Sequence, residues 1–97
     1  MNIRRKDIID DFIKKHADAK NALQRWIEIV EKAEWKSHKD IKANFPSADY
    51  VGNERYVFNI RGNNYRMAAV VIFVAGSLTI RFLGTHAEYD KIDCKTI

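Results

Sequence analysis

The chain changes its hydrophobic period once, near the middle. In the first half Ile9, Phe12, Ile13 and His16 recur at helical spacing. A clearer stripe follows, with Ala19, Ala22, Leu23, Trp26, Ile27, Val30 and Ala33 at i, i+3, i+4, i+7 and Lys and Glu opposite. Two helices are expected, with Asp18 as N-cap of the second and a short strand at residues 2–4 before the first. The only proline, Pro46, lies in residues 37–49, which read as a crossing loop with one helical turn at Lys39–Lys42.

From Arg55 onward the period is two. Strands are expected over residues 55–61, 64–74 and 77–83, joined by turns at Gly62-Asn63 and Ala75-Gly76. Thr85-His86-Ala87-Glu88 has the T-x-x-E form of a capping box, so a short helix should run through Tyr89 and Ile92. No repeat, low-complexity tract or linker interrupts the chain, and residues 1–97 read as a single domain. The fold class is α+β: two N-terminal helices on one face of an antiparallel meander, with a short C-terminal helix.

Hairpin register adds a step. If both turns are two-residue loops, Asn59 faces Arg66, Val74 faces Ser77 and Val70 faces Arg81. One face then carries Tyr56, Phe58, Ile60, Tyr65, Met67, Ala69, Val71, Phe73, Leu78, Ile80 and Phe82, and must be the core. The other carries Arg55, Val57, Asn59, Arg61, Asn64, Arg66, Arg81 and Leu83. Its arginines and asparagines gather near the Gly62-Asn63 turn, with the last helix starting close by. A bulge in either hairpin would flip one strand and break this alignment. An uncovered sheet face with several guanidinium groups suits phosphate.

Composition narrows the picture only a little. Lys+Arg exceed Asp+Glu by 17 to 13, giving +4 and a pI near 9.3, which suits a polyanion without singling one out. One cysteine, Cys94, excludes an internal disulfide, and with three scattered histidines it argues against a structural zinc site. No metal or cofactor is implied. The first residues have no apolar stretch behind them, and the longest apolar run, Met67 to Ala75, is nine residues, too short to span a bilayer as a helix. A soluble protein of the reducing cytoplasm, with no membrane partner, is expected.

His86 and Tyr89 lie three apart and share a helix face. RNA cleavage by its own 2′-OH needs a group to take the 2′ proton, a group to protonate the departing 5′ oxygen, and cations on the phosphate. Arg66 and Arg81 supply the cations; a tyrosine serves if neighbouring cations lower its pKa. The plain alternative is a hydrogen-bonded His86 and a packed Tyr89 ring. Asn59, Arg61, Asn64, Lys36, Lys39 and Lys42 are RNA-binding candidates, against the plainer reading of solvated side chains. Trp26 belongs to the core stripe, and Trp35 is expected to close the end of the second helix against the sheet.

The segments Arg55-Tyr-Val-Phe-Asn-Ile-Arg-Gly-Asn-Asn-Tyr-Arg and Ile80-Arg-Phe-Leu-Gly-Thr-His-Ala-Glu-Tyr-Asp-Lys-Ile, in this order, resemble the HigB toxins of type II toxin–antitoxin systems. The first corresponds to the family's VFNI-x-GN-x-YR hairpin, the second to its R-x-x-GTH-x-EYDKI ending. The resemblance covers nearly the whole chain. It implies a RelE-like fold and an mRNA interferase that cuts translated messages at the ribosome. It also implies inhibition by a HigA-type antitoxin with a helix-turn-helix domain, so that DNA is met only through the antitoxin. Arg66 and Arg81 are carried over as phosphate-stabilising, His86 and Tyr89 as acid–base candidates, with the base unassigned. A non-catalytic RNA- or ribosome-binding module using the same face is the rival reading, and a peptide-binding sheet face a third.

Overall fold

The order of elements follows the change of period. The computed structural model describes residues 1–97. It contains β1 (Asn2–Arg4), α1 (Asp7–Lys15), a 3-10 turn (Ala17–Ala19), α2 (Lys20–Lys32), α3 (His38–Asn44), β2 (Asp49–Gly52), β3 (Arg55–Ile60), β4 (Tyr65–Ile72), β5 (Ser77–Thr85) and α4 (His86–Tyr89). The five-stranded sheet runs β1-β5-β4-β3-β2. Strands β2 to β5 form the expected antiparallel meander, and β1 adds a parallel edge beside β5. No helix is long and apolar enough to cross a membrane.

The helices form for local reasons and stay for packing reasons. Asp7 and Asp10 lie in the first turn of α1 and Lys14 and Lys15 in its last, each sign complementing the helix dipole. Ile9 and Phe12 of α1, and Leu23, Trp26 and Val30 of α2, are the buried members of the two stripes. Asp18 is not the N-cap of α2, where Ala19 stands without a side-chain cap. It lies one residue early, in the 3-10 turn, and its carboxylate accepts from the Tyr65 hydroxyl at 2.8 Å and from Arg61 Nη1 at 2.9 Å, pinning the helical layer to the hairpin tip.

Phe58 is the centre of the core. Trp26 meets it edge-on at 5.6 Å, Phe45 edge-on at 5.3 Å, and Trp35 stacks parallel to it at 6.4 Å. Trp35 thus closes the end of α2 against the sheet as expected, its indole N–H donating to Asn44 Oδ1. The segment read as a crossing loop is more ordered than that reading allowed. The single turn expected at Lys39–Lys42 is the full helix α3, which sends Ile41 and Phe45 inward. Edge strand β2 follows it, too short and too exposed to show alternation.

Register in the first hairpin is as expected, with Asn59 opposite Arg66. The second hairpin departs from expectation. Its connection is four residues, Phe73 to Gly76, so Ile72 faces Ser77 and Val70 faces Thr79 rather than Arg81. The ladder then shifts between Ala69–Ile80 and Ala68–Phe82, leaving Arg81 as the extra residue of a bulge. Leu78 and Ile80 keep their core positions. Beyond the bulge the faces swap: Phe82 leaves the core for the opposite face, and Leu83 takes its place against the helices.

That opposite face is not bare. Val57 is 3% and Ala68 0% exposed, yet neither belongs to the helix-covered core. The segment after α4 returns across the sheet, with Asn53 Nδ2 donating to the Lys95 carbonyl and Arg55 Nε to the backbone oxygen of Ile97 at 3.1 Å. Arg55, expected on the phosphate-facing surface, is therefore a clasp for the C-terminal segment.

Truncating the central ring tests this packing. Phe58→Ala should cost about 3–5 kcal/mol of unfolding free energy in urea titration. Val74→Ser, at a side chain 100% exposed, should change it by less than about 0.5 kcal/mol.

Candidate active site

Three strands contribute one row across the outer face: Asn59 of β3, Arg66 of β4 and Gly84 of β5 are successive register partners. Gly84 has room for no side chain. A Cβ there would lie 2.6 Å from Phe82 Cζ and 2.9 Å from Glu88 Oε1. The bare backbone lets the Phe82 ring and the start of α4 close over it.

Helix α4 begins two residues later under a complete capping box. Thr85 Oγ1 accepts from the Glu88 N–H at 3.2 Å, and Glu88 Oε1 accepts from the Thr85 N–H at 2.9 Å. The Thr85 N–H is the main reason the Glu88 carboxyl sits below the ordinary carboxylate range. The cap fixes His86 at the first helical position and Tyr89 three residues on, one above the other. The helix itself stops at Tyr89, with single turns rather than helix carrying the chain to Ile92.

Tyr89 connects helix to sheet. The Arg66 guanidinium carbon stands 4.9 Å from its ring centroid, within cation–π range. The Phe82 ring lies 6.3 Å away. Its hydroxyl meets Cys94 Sγ at 3.3 Å. Burial first, and the Cys94 contact second, push the Tyr89 pKa up, with Arg66 opposing. The expectation that nearby cations lower it is therefore overturned: one arginine does not offset burial, and Tyr89 keeps its proton at neutral pH.

The polar atoms that lack partners are the strongest sign of a ligand site. Asn59 Oδ1, Arg66 Nε and His86 Nε2 are buried and make no hydrogen bond within the protein; the one other such atom is the Trp26 indole nitrogen in the core. Each unpaired buried polar atom costs about 1–3 kcal/mol unless something meets it. Asn59 and Arg66 are register partners, and His86 follows two residues after Gly84, the next residue of that row. An acceptor and a donor are therefore neighbours across the outer face, and the ring nitrogen belongs to the helix that starts two residues past the same row.

The other candidates scatter. Arg81 is exposed and bonded to nothing, but the bulge carries it to the stretch opposite Ala68–Ala69, nearer Arg66 in register than Val70. Arg61 does not join the outer face. It lies in the turn at φ 53°, outside the strand alternation, and its guanidinium swings to the helical side to pair with Asp18. Asn64 is exposed at the hairpin tip. Lys36 and Lys39 are exposed on the α3 side, Lys36 lining a groove with the Phe73–Gly76 connection, at the far end of β4 from Arg66. Lys42 donates to the Ala48 carbonyl at 2.7 Å, closing the turn after α3. These three lysines are thus apart from the Arg66 patch. Phe82, Gly84 and Cys94 belong to it but show no periodic signal; the glycine between Leu83 and Thr85 was the one readable hint. No three His, Cys, Asp or Glu side chains group as a metal site.

Residues 19–92 match the family described as HigB_toxin, RelE-like toxic component of a toxin-antitoxin system. The chain belongs to the HigB toxin family. The matched stretch holds every residue of the outer-face patch from Asn59 to Tyr89. Similar proteins include the mRNA interferase toxin HigB of Escherichia coli K12, 33% identical over 93% of this chain and 88% of its own length. The mRNA interferase HigB of Shigella flexneri shows the same 33% identity over 93% of this chain and 88% of its own length. That of Escherichia coli O6:H1 is 27% identical over 95% of this chain and 91% of its own. The α+β fold, with helices on one sheet face and a short C-terminal helix, is the RelE-like arrangement expected of a HigB toxin.

Two measurements check the site's construction. Gly84→Ala in this HigB-family chain should destabilise by about 1–3 kcal/mol through overpacking; an unchanged urea midpoint would mean that Phe82 and Glu88 swing aside freely. Glu88, with its folded pKa below the unfolded value near 4.5, lends stability that is complete above that value and is lost as pH falls through the folded one. Stability curves of wild type and Glu88→Gln should therefore converge in acid. Parallel curves down to the lowest pH would contradict the cap.

Proposed function

We propose that this HigB-family toxin cuts messenger RNA on the ribosome in the cytoplasm, with Asn59, Arg66, Arg81, His86 and Tyr89 as its working centre. We propose also that a HigA-type helix-turn-helix antitoxin silences it, so that DNA is met only through that partner. The observation that carries the reading is the set of three buried, unpartnered polar atoms, Asn59 Oδ1, Arg66 Nε and His86 Nε2, with the Arg66 guanidinium held over the Tyr89 ring. Relatives of this length that bear the name mRNA interferase support the choice of RNA as substrate.

The chemistry follows from the groups present. Asn59 Oδ1 accepts from a ribose hydroxyl, and Arg66 Nε donates to the scissile phosphate. His86 Nε2 takes the 2′-hydroxyl proton as the 2′ oxygen bonds to phosphorus. The bond from phosphorus to the 5′ oxygen breaks, and that oxygen receives a proton from Tyr89. The products are a 2′,3′-cyclic phosphate and a 5′-hydroxyl. Tyr89's raised pKa keeps its proton available at neutral pH but makes it a reluctant acid. The Arg66 guanidinium over its ring stabilises the phenolate as the proton leaves. Arg81, exposed and unpaired, completes the charge around the phosphate. In-line attack by the RNA's own hydroxyl calls for no metal.

Primer extension on a translated message, with binding followed by co-sedimentation with ribosomes, tests the reading. Tyr89→Phe keeps the ring that packs on Phe82 and should slow cleavage by roughly two to four orders of magnitude while leaving ribosome binding intact. Arg66→Ala should lose on the order of a hundredfold or more. Undiminished cleavage by both variants removes the patch from the chemistry, whereas growth arrest and binding without any cleavage return the face to RNA binding alone.

A further inference from the structure

A second cationic site lies around the hairpin tip from the outer-face patch. Asp18, Asn21, Ala22, Arg25, Arg61 and Gly62 line a cleft of about 600 Å³ between the start of α2 and the β3–β4 turn. Asn21 and Arg25 are one helical turn apart and project from the same face of α2. Arg25 is exposed and makes no hydrogen bond or ion pair. Facing it, Arg61 holds a left-handed backbone, φ 53°, that non-glycine residues rarely adopt. That conformation is what turns its side chain away from the outer face and into the cleft.

Asp18 does not simply cancel Arg61. Its carboxylate is anchored by the Tyr65 hydroxyl at 2.8 Å and takes one bond, from Arg61 Nη1 at 2.9 Å. The remaining guanidinium N–H groups of Arg61 stay free, oriented by that bond as a fork toward the cleft. The cleft thus presents one anchored and one unpaired guanidinium together with an amide, contributed by α2 and the hairpin turn. This is a phosphate-binding chemistry, and it sits at the end of the strand pair that carries Asn59 and Arg66. Arg61 follows Asn59 by two residues, just past the end of β3.

We infer that the Arg25–Arg61 cleft is a secondary subsite for a backbone phosphate of the same RNA strand. The strand leaves the outer-face patch, passes over the exposed tip at Gly62 to Asn64 and drops into the cleft. There Arg25 and Arg61 hold a phosphate flanking the cut without touching the reacting atoms. The inference rests on the RNA-cleaving role proposed above and deepens it, since it fixes the course of the substrate beyond the scissile bond.

The test uses the full chain and a fluorescein-labelled 2′-O-methyl RNA oligomer, which binds but cannot be cut. Anisotropy is measured across a series of salt concentrations. Arg25→Ala should weaken binding on the order of tenfold and flatten the salt slope by about 0.7, the increment for one phosphate on a single strand. Arg25→Lys should recover the slope and part of the affinity. Arg4→Ala, at an exposed arginine of edge strand β1, should leave the slope unchanged. Equal slope losses for Arg4→Ala and Arg25→Ala would reduce the effect to diffuse charge and overturn the subsite. So would unchanged RNA binding by Arg25→Ala together with weakened capture of the antitoxin, which would make the cleft a protein interface. An altered slope for Arg25→Ala, alongside full cleavage of a translated message by Arg66→Ala and Tyr89→Phe, would uphold the cleft while refuting the proposed catalytic patch.

Discussion

One extra residue in β5 governs how the sheet presents its chemistry. Without the bulge at Arg81, strict alternation would bury Phe82 beneath the helices and leave Leu83 facing solvent on the outer side. The bulge turns Phe82 outward against Tyr89 and sends Leu83 inward, so the core loses little apolar volume while the outer face gains an aromatic support. It also resets the register so that Gly84, not a residue with a side chain, stands beside Arg66. Because α4 starts directly after β5, its position is inherited from that register. His86 and Tyr89 stand where they do because the strand has been lengthened by one.

The outer face is built from two layers of constraint. Close to the sheet, the Tyr89 ring is fixed on three sides by Arg66, Phe82 and Cys94. Farther out, the returning C-terminal segment is held by Asn53 and Arg55, and Val57 and Ala68 are buried without belonging to the helix-covered core. The apolar half of the face is covered by the protein itself. The polar half, with its three unpartnered atoms, is not satisfied by the protein. In a chain of 97 residues, with stability on the order of 5–15 kcal/mol, three such atoms are a large standing cost. They set this part of the face apart from the exposed, paired cations elsewhere on the surface.

Much of this was legible from periodicity because burial follows it. The two helical stripes, the β3–β4 register and the T-x-x-E cap depend on local spacing, and all three have the predicted form. The failures share a different cause. A two-residue turn at Ala75-Gly76 and a four-residue turn from Phe73 have the same composition, and nothing local announces a bulge between two strands that each alternate well. Phe82 and Leu83 are both large and apolar, so the swap leaves no trace in the hydrophobic pattern. Arg61 illustrates the same limit: its side chain follows a left-handed backbone set by the turn, which alternation cannot see. Helix α3 was read as a single turn and β2 was missed because each is short and draws its stability from tertiary contacts, Ile41 and Phe45 in one case and pairing with β3 in the other.

The distribution of paired and unpaired cations says more than the net charge does. Arg5 pairs with Asp7, Lys6 with Glu31 and Lys14 with Asp11, all on exposed surface where such pairs are worth little and carry no message. Arg66 has no carboxylate partner; its neighbour is an aromatic ring, and its Nε is left without an acceptor. A carboxylate at that point would compete with an incoming phosphate, while a ring holds the guanidinium in place without using its donors. Stacking therefore fixes Arg66 while its Nε keeps no acceptor within the protein. The Tyr89 ring is held at both ends: its face carries the arginine, and its hydroxyl meets Cys94 Sγ at 3.3 Å.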